Sequence, residues 1–327
     1  MNRLGSEHLP FVFYTDFRGT ITNVIPLADS EDILFNFRGV SNAKEEQISQ
    51  PINIDVIPPS FAEYKQAFDR AMYHLKRGDS YLLNLTFPSR ILSNLSLEEI
   101  YHASEAAYKL HVPSKFTVFS PESFIRIEED TISTYPMKGT INATLPDALS
   151  QLINNKKELA EHCTIVDLRR NDISRVSRNV RVEDFRYSET ISTASGDLIQ
   201  TSSKISGQLN HDYHCNLGSI LFELLPAGSI SGAPKAKTIE IINNIESTNR
   251  GNYTGVCGIY DGVNFDSGVM IRYIEERNNE LFFRSGGGIT AKSNLYKEYQ
   301  ELVDKINVPT TRNNTNQKRQ NLQSFLS

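Results

Sequence analysis

Apolar and polar positions along this chain follow two periods, and the two alternate without a regular order. Phe11 to Phe17 and Ile21 to Ile25 are apolar-rich runs broken at Arg18-Gly19, which predicts a hairpin. Residues 41–59 are polar and end in Pro58-Pro59, which predicts a loop. Ser60 with Glu63 is a capping box, and Tyr64, Phe68, Met72 and Leu75 then fall on one helical face before Gly78. Tyr81 to Phe87 is strand-like, and Ser96 with Glu99 opens a second capped helix running to about Leu110. Lys115 to Phe119, Ser123 to Glu128 and Thr131 to Tyr135 are three further strands, and Pro146 to about Val166 is a helix. Val180 to Arg186 and Leu198 to Gly207 are strands, while His214 to Leu225 and Pro234 to Glu246 are helices, the latter with proline near its first turn. Tyr253 to Tyr260, Gly268 to Glu275 and Glu280 to Arg284 predict a meander with Asn278-Asn279 in a turn, and Ser293 to Ile306 is the last helix. Strands and helices in mixed order, without βαβ alternation, predict an α+β fold with antiparallel sheets. No linker or internal repeat is visible, so one catalytic domain is expected over residues 1–308, including a short N-terminal region 1–59. Residues 309–327, rich in Asn, Gln and Thr, are expected to be a disordered tail.

Composition narrows the class. The 327 residues are 39% hydrophobic and 22% charged, ordinary for a soluble globular protein. A net charge of −5 argues against a nucleic-acid surface, and an anionic substrate would then need local cations. Cys163, Cys215 and Cys257 lack CxxC spacing, so neither a disulfide frame nor a zinc site is expected. No apolar run reaches the ~18 residues of a membrane span and no signal peptide is visible, so the expectation is a cytoplasmic protein without a membrane partner.

Several stretches carry chemistry. In Tyr135-Pro-Met-Lys-Gly-Thr140, Pro136 is expected to end ladder pairing and Gly139 to turn the backbone, leaving Lys138 at a strand end. Such a lysine is either a solvated charge or, against apolar neighbours, an amine nucleophile. Glu158 with Glu161, and Glu298 with Glu301, are three apart on predicted helices; each pair is either a solvated face or one half of an all-oxygen site for a hard cation such as Mg²⁺. Leu225 to Lys235 runs glycines and serines, among them Ser229 and Ser231, into a helix start, which is a structural turn or an anion cradle. Gly286-Gly287-Gly288 admits a close backbone approach and does not match GxGxxG. Arg272 and Tyr253 are surface or core residues, or else contacts for a carboxylate. Glu122, between two strands, is a turn residue or a partly desolvated general acid.

Taken in order, Gly78-Asp-Ser-Tyr-Leu-Leu-Asn-Leu85, Phe119-Ser-Pro-Glu122, Pro136-Met-Lys-Gly-Thr140, Glu158-Leu-Ala-Glu-His162 with Ile165 to Asp172, Pro226 to Lys235, and Gly286-Gly-Gly-Ile289 leading to Glu298-Tyr-Gln-Glu301 resemble the chorismate-utilising enzymes. The resemblance spans about Ser60 to Lys305. It implies two antiparallel sheets packed face to face with helices outside. It implies Lys138 and Glu122 as catalytic residues, with Mg²⁺ held directly by Glu161 and Glu301 and through water by Glu158 and Glu298. Thr140, Ser229, Tyr253, Arg272, the glycines 286–288 and Lys305 would bind substrate. Members with lysine at the Lys138 position resemble aminodeoxychorismate synthase component I, which makes 4-amino-4-deoxychorismate for p-aminobenzoate and folate; anthranilate synthases carry alanine there. Water-adding members have a lysine matched here to Leu83, and Gln200 stands where many members have histidine. The short N-terminal region leaves no complete tryptophan pocket expected. No Gly-x-Cys-x-Gly motif surrounds any cysteine, so ammonia is expected from a separate glutamine amidotransferase subunit. The alternatives are anthranilate synthase component I and a non-catalytic chorismate-binding module.

Overall fold

A computed structural model describes residues 1–44, 46, 48, 51–193 and 196–308. The expected tail, 309–327, lies outside the described residues. The chain forms two compact units, one of Met1–Ser30, Pro121–Ser229 and Gly255–Val269, the other of Glu31–Ser120, Ile230–Thr254 and Met270 onward. It passes from one unit to the other after Ser30, Ser120, Ser229, Thr254 and Val269, so neither unit is a single stretch of sequence.

Each unit is organised on one antiparallel sheet, nine-stranded among the described residues, as the α+β expectation requires. In unit 1 the order is Met137–Asn142, Gly196–Gln208, Thr131–Thr134, Ser123–Glu128, Phe265–Val269, Val256–Tyr260, Phe11–Thr15 and Thr22–Pro26, with Arg178–Thr193 also on Gly196–Gln208. In unit 2 it is Gly232–Ala233, Leu82–Ser93, Glu280–Ile289, Tyr273–Arg277, Phe116–Ser120, Tyr108–Val112, Leu34–Phe37 and Val40–Ser41, with Ile54–Ile57 on Leu82–Ser93. The latter sheet buries Leu83, Leu85, Phe87 and Ile289 against Tyr64 and Phe68 of the helix Phe61–Arg77, Ile241 and Ile242 of Lys235–Ile245, and Tyr299 and Leu302 of Leu295–Asp304.

Local signals hold where they were strongest. Ser60 and Ser96 each accept the N–H three residues on, and each Glu returns its carboxylate to the cap N–H. The first helix ends at Gly78 with φ +79°, a left-handed position that glycine adopts without strain. Removing the first of these caps by Ser60→Ala is expected to cost about 1 kcal/mol, read as a lower denaturant midpoint at unchanged slope. Asn278 and Asn279, at φ +52° and +61°, turn the hairpin between Tyr273–Arg277 and Glu280–Ile289.

Other expectations are corrected. The stretch 41–59 begins on the last residue of the strand Val40–Ser41 and contains the strand Ile54–Ile57. The helix expected to reach Leu110 stops at Ala103, and Tyr108–Val112 is a strand between Phe116–Ser120 and Leu34–Phe37, because partners on both sides outweigh its helical spacing. Asn155 caps a new helix and divides 146–166 into Ala148–Asn154 and Lys156–Ser174. The expected strand Gly268–Glu275 is two strands in different sheets, so the expected meander does not exist; the break falls at Arg272, whose φ is +52°.

Candidate functional site

Pairing does not end at Pro136. Met137–Asn142 is a strand laid against Leu198–Ser202, with a register shift between Met137 and Thr140. Gly139 lies inside that bulge at φ +87°, where an L side chain is strained. The bulge presents Lys138, about one-third exposed, towards the helix Lys156–Ser174, and its Nζ lies 2.8 Å from Glu161 Oε2. Lys157 Nζ, one helical turn before Glu161, reaches its other oxygen at 3.7 Å but is 75% exposed. Glu158 Oε2 lies 3.2 Å from the point a Cβ on Gly139 would occupy, so the glycine also makes room for that carboxylate.

Behind the lysine is a polar staple that the sequence did not single out. The Thr201 hydroxyl donates to the Lys138 carbonyl, and the Ser203 N–H donates to Pro136 O at 3.0 Å. His162, fully buried and next to Glu161, shares a 2.7 Å hydrogen bond with the Ser203 hydroxyl, tying the carboxylate helix to Gly196–Gln208, the strand against which the bulged segment pairs. Burial lowers the His162 pKa, and the Arg186 charge lowers it further. The sequence signal was its place in the quoted Glu158–His162 motif. Thr140 is exposed and faces Gln200 across the ladder; the Gln200 amide nitrogen lies 2.7 Å from Met137 Sδ.

Unit 1 contains a second cluster at Glu122. The Ser229 hydroxyl donates to Glu122 Oε1 at 2.6 Å, and Val269 N–H donates to its backbone carbonyl. Beneath it Arg169, 3% exposed, lies over the Phe124 ring and donates to Phe124 O at 2.8 Å. Burial pulls the Arg169 pKa down, and the charges of Asp172 and Glu122 oppose that. Arg169 belongs to a motif quoted above without a role.

In unit 2 the helix Leu295–Asp304 lies over the glycine-rich strand. A Cβ built on Gly287 would stand 3.6 Å from Glu301 Oε1, 3.7 Å from Glu298 Oε2 and 3.9 Å from Lys305 Nζ. Two carboxylates and an ammonium therefore converge over a glycine. Lys305 Nζ also lies 2.7 Å from Glu301 Oε1 and donates to Gly286 O at 3.0 Å. Gly286 is required for another reason: a Cβ there would meet Leu85 O at 2.5 Å. Arg272, strained at φ +52°, donates to the carbonyl of Lys305 at 2.7 Å, and burial lowers its pKa. Tyr253 is 4% exposed, with the Arg284 guanidinium 5.6 Å from its ring centre, and desolvation pushes its hydroxyl pKa up to about 12.

Leu83 points into the helix-facing core, and Leu82, on the opposite face of the strand, comes to the glycine run, 3.1 Å from a Cβ on Gly288. Both are leucines, so no lysine stands at either place.

Among the described residues no three His, Cys, Asp or Glu side chains are grouped as a metal site. Each unit nevertheless supplies a pair of carboxylates with a lysine on one of them. All-oxygen donors of this kind fit a hard divalent cation such as Mg²⁺, and the missing side chain at Gly287 leaves room beside the Glu298 and Glu301 oxygens.

Residues 27–311 match the family described as chorismate binding enzyme. The chain is 47% identical over 310 residues to an uncharacterised PabA-like protein of Haemophilus influenzae, covering 94% of each. It is 33% identical over 261 residues to aminodeoxychorismate synthase component 1 of Escherichia coli, covering 75% of this chain and 56% of that relative. The fold is similar to the menaquinone-specific isochorismate synthase of Escherichia coli, with a TM-score of 0.72 at 17% identity, covering 93% of this chain and 79% of that one. It is also similar to anthranilate synthase component I of Streptococcus pneumoniae, with a TM-score of 0.67 at 25% identity, covering 80% of this chain and 60% of that one.

Proposed function

Because the chain belongs to the chorismate-binding enzyme family, we propose that it aminates chorismate at C4 to give 4-amino-4-deoxychorismate. The observation that carries this reading is Lys138, held on a bulged strand by Thr201 and directed at Glu161. Lys138 in its neutral form attacks C2 of the substrate ring. The new N–C2 bond moves both ring double bonds, C1=C2 to C1=C6 and C5=C6 to C4=C5, and expels the C4 hydroxyl, to which Glu122 gives a proton, so water leaves. The carboxyl of Glu122 is held for this by the Ser229 hydroxyl. Ammonia then attacks C4, the shift reverses, and the C2–Lys138 bond breaks to restore the amine. Arg272 and Tyr253 are assigned to the enolpyruvyl carboxylate, Lys305 and the backbone at Gly286, Gly287 and Gly288 to the other carboxylate, and Thr140 to the pocket wall. The carboxylates proposed for Mg²⁺ are Glu161, with Glu158 through water, in unit 1, and Glu301, with Glu298 through water, in unit 2. When bound the ion supplies charge neutralisation for a dianionic substrate. The strained backbone at Arg272 and the glycine bulge at Gly139 support these assignments, since such conformations persist where a side chain must be aimed.

A glutamine amidotransferase subunit is the proposed source of ammonia. The chain supplied with chorismate, Mg²⁺ and an ammonium salt is expected to form the amino product by mass spectrometry, and glutamine is expected to serve only after the partner is added. Glutamine-dependent turnover by the chain alone excludes the partner, and a fluorescent anthranilate product in place of aminodeoxychorismate replaces the activity with that of anthranilate synthase.

A further inference from the structure

In both units the carboxylate assigned to the metal already carries a lysine ammonium of the same unit. Lys138 Nζ is 2.8 Å from Glu161 Oε2, and Lys305 Nζ is 2.7 Å from Glu301 Oε1. Lys138 and Glu161 are each about two-thirds removed from solvent, at 35% and 27% exposure, so their attraction is screened less than that of a surface pair. Glu161 also faces Lys157, whose far more exposed ammonium at 3.7 Å is held weakly. Nothing about ordinary salt-bridge stability asks that this particular cation be the proposed nucleophile. The staple behind it is what sets the distance: Thr201 holds the lysine carbonyl, and the His162–Ser203 hydrogen bond fixes the helix bearing Glu161.

We propose that Lys138 is the resident cation of Glu161 and competes with the divalent cation for that carboxylate, so that metal uptake and release of the lysine side chain are one event. The inference rests on the metal reading above and adds a second role for the nucleophile. Two cations on one carboxylate repel each other, so binding of either at Glu161 weakens binding of the other. The coupling is reciprocal: whatever affinity Lys138 removes from the metal, the metal removes from the lysine contact. The lysine is thereby kept on its carboxylate until the cation is in place, which orders metal binding before the covalent step.

The test is metal affinity at fixed pH and ionic strength, read by Mn²⁺ paramagnetic resonance and by Mg²⁺ calorimetry on the full chain without substrate, so that turnover plays no part. Lys138→Met is expected to bind Mn²⁺ about tenfold more tightly than the wild type, equal to about 1.4 kcal/mol. Lys138→Arg keeps a cation and is expected to stay within about threefold of the wild type. Glu161→Gln is expected to lose most of the binding. Lys138→Gln repeats the uncharged test should Lys138→Met fail to fold, as judged by circular dichroism. An unchanged or weaker affinity in the uncharged variants overturns the competition and leaves the metal reading standing. Equal tightening in Lys138→Arg also overturns it, since charge would then not be the cause. Absence of any saturable Mn²⁺ signal in the wild type overturns the metal reading itself, and the inference with it.

Discussion

Lys138→Ala is expected to abolish covalent capture of the substrate and to lower ammonia-dependent amination by about 10⁴-fold or more, the scale seen when a covalent nucleophile is removed. The reason is geometric. The bulge at Gly139 and the Thr201 hydrogen bond place the Lys138 backbone, so a truncated side chain cannot reach forward from a neighbouring position. Met137 and Gly139, on either side, offer no nitrogen. Wild-type protein incubated with chorismate and Mg²⁺ without ammonia is expected to gain the mass of a dehydrated substrate, and Lys138→Ala is expected to gain none. The side chain is 35% exposed, so the variant should melt close to the wild type. An adduct on the alanine variant, or undiminished turnover, removes Lys138 from the chemistry.

The second large effect concerns stability. Glu246→Ala is expected to destabilise the protein by about 3–5 kcal/mol, seen as a Tm fall of about 4–7 °C. Glu246 and Arg250 are 4% and 2% exposed in their side chains. Arg250 donates to both oxygens of Glu246 at 2.7 and 2.9 Å, and to the carbonyls of Ile230 and Asn84 at 2.8 Å each. Glu246 Oε1 also accepts from the N–H and hydroxyl of Thr86 at 2.9 Å. Removing the carboxylate strands a buried guanidinium and a backbone N–H together, and each is costly without a partner. The effect should reach the site as well, because Tyr253 follows Arg250 by one turn and its N–H donates to Arg250 O. The double change Glu246→Met with Arg250→Met is expected to cost less than the sum of the two single changes, since only the double change leaves no lone buried charge behind. A loss under about 1 kcal/mol for Glu246→Ala would show that the pair is solvated.

The elements legible in the sequence were those whose signals are local. Two capping boxes, the asparagine turn and the glycine stop at position 78 are satisfied by neighbours three or four residues away. Tyr108–Val112 was not legible, because its strand character comes from partners on both sides rather than from its own spacing. The strand character of Met137–Asn142 is not legible, because proline and glycine ordinarily end pairing; here the Pro136 carbonyl still accepts from Ser203 and a bulge absorbs Gly139. The candidate site was legible at its acids and its lysines, which the ordered motifs single out. Its supporting residues were not: His162, Arg169, Ser203 and Arg250 act through hydrogen bonds to positions 20 to 166 residues away, and no spacing rule reports such pairs.

The linear chain by itself determined the chemistry on offer: an amine at 138, two carboxylate pairs one helical turn apart, a run of three glycines, and the ordered motifs of the chorismate-binding enzymes. Residue type and short-range spacing suffice for these, because they depend on what each side chain is. Only the tertiary structure decided that segments far apart in sequence interleave into two units on two sheets, that Gly268–Glu275 divides between them at a strained arginine, and that a lysine rests on a carboxylate in each. Those outcomes depend on long-range strand pairing and on which charges burial forces together, and neither is a property of any window of the sequence.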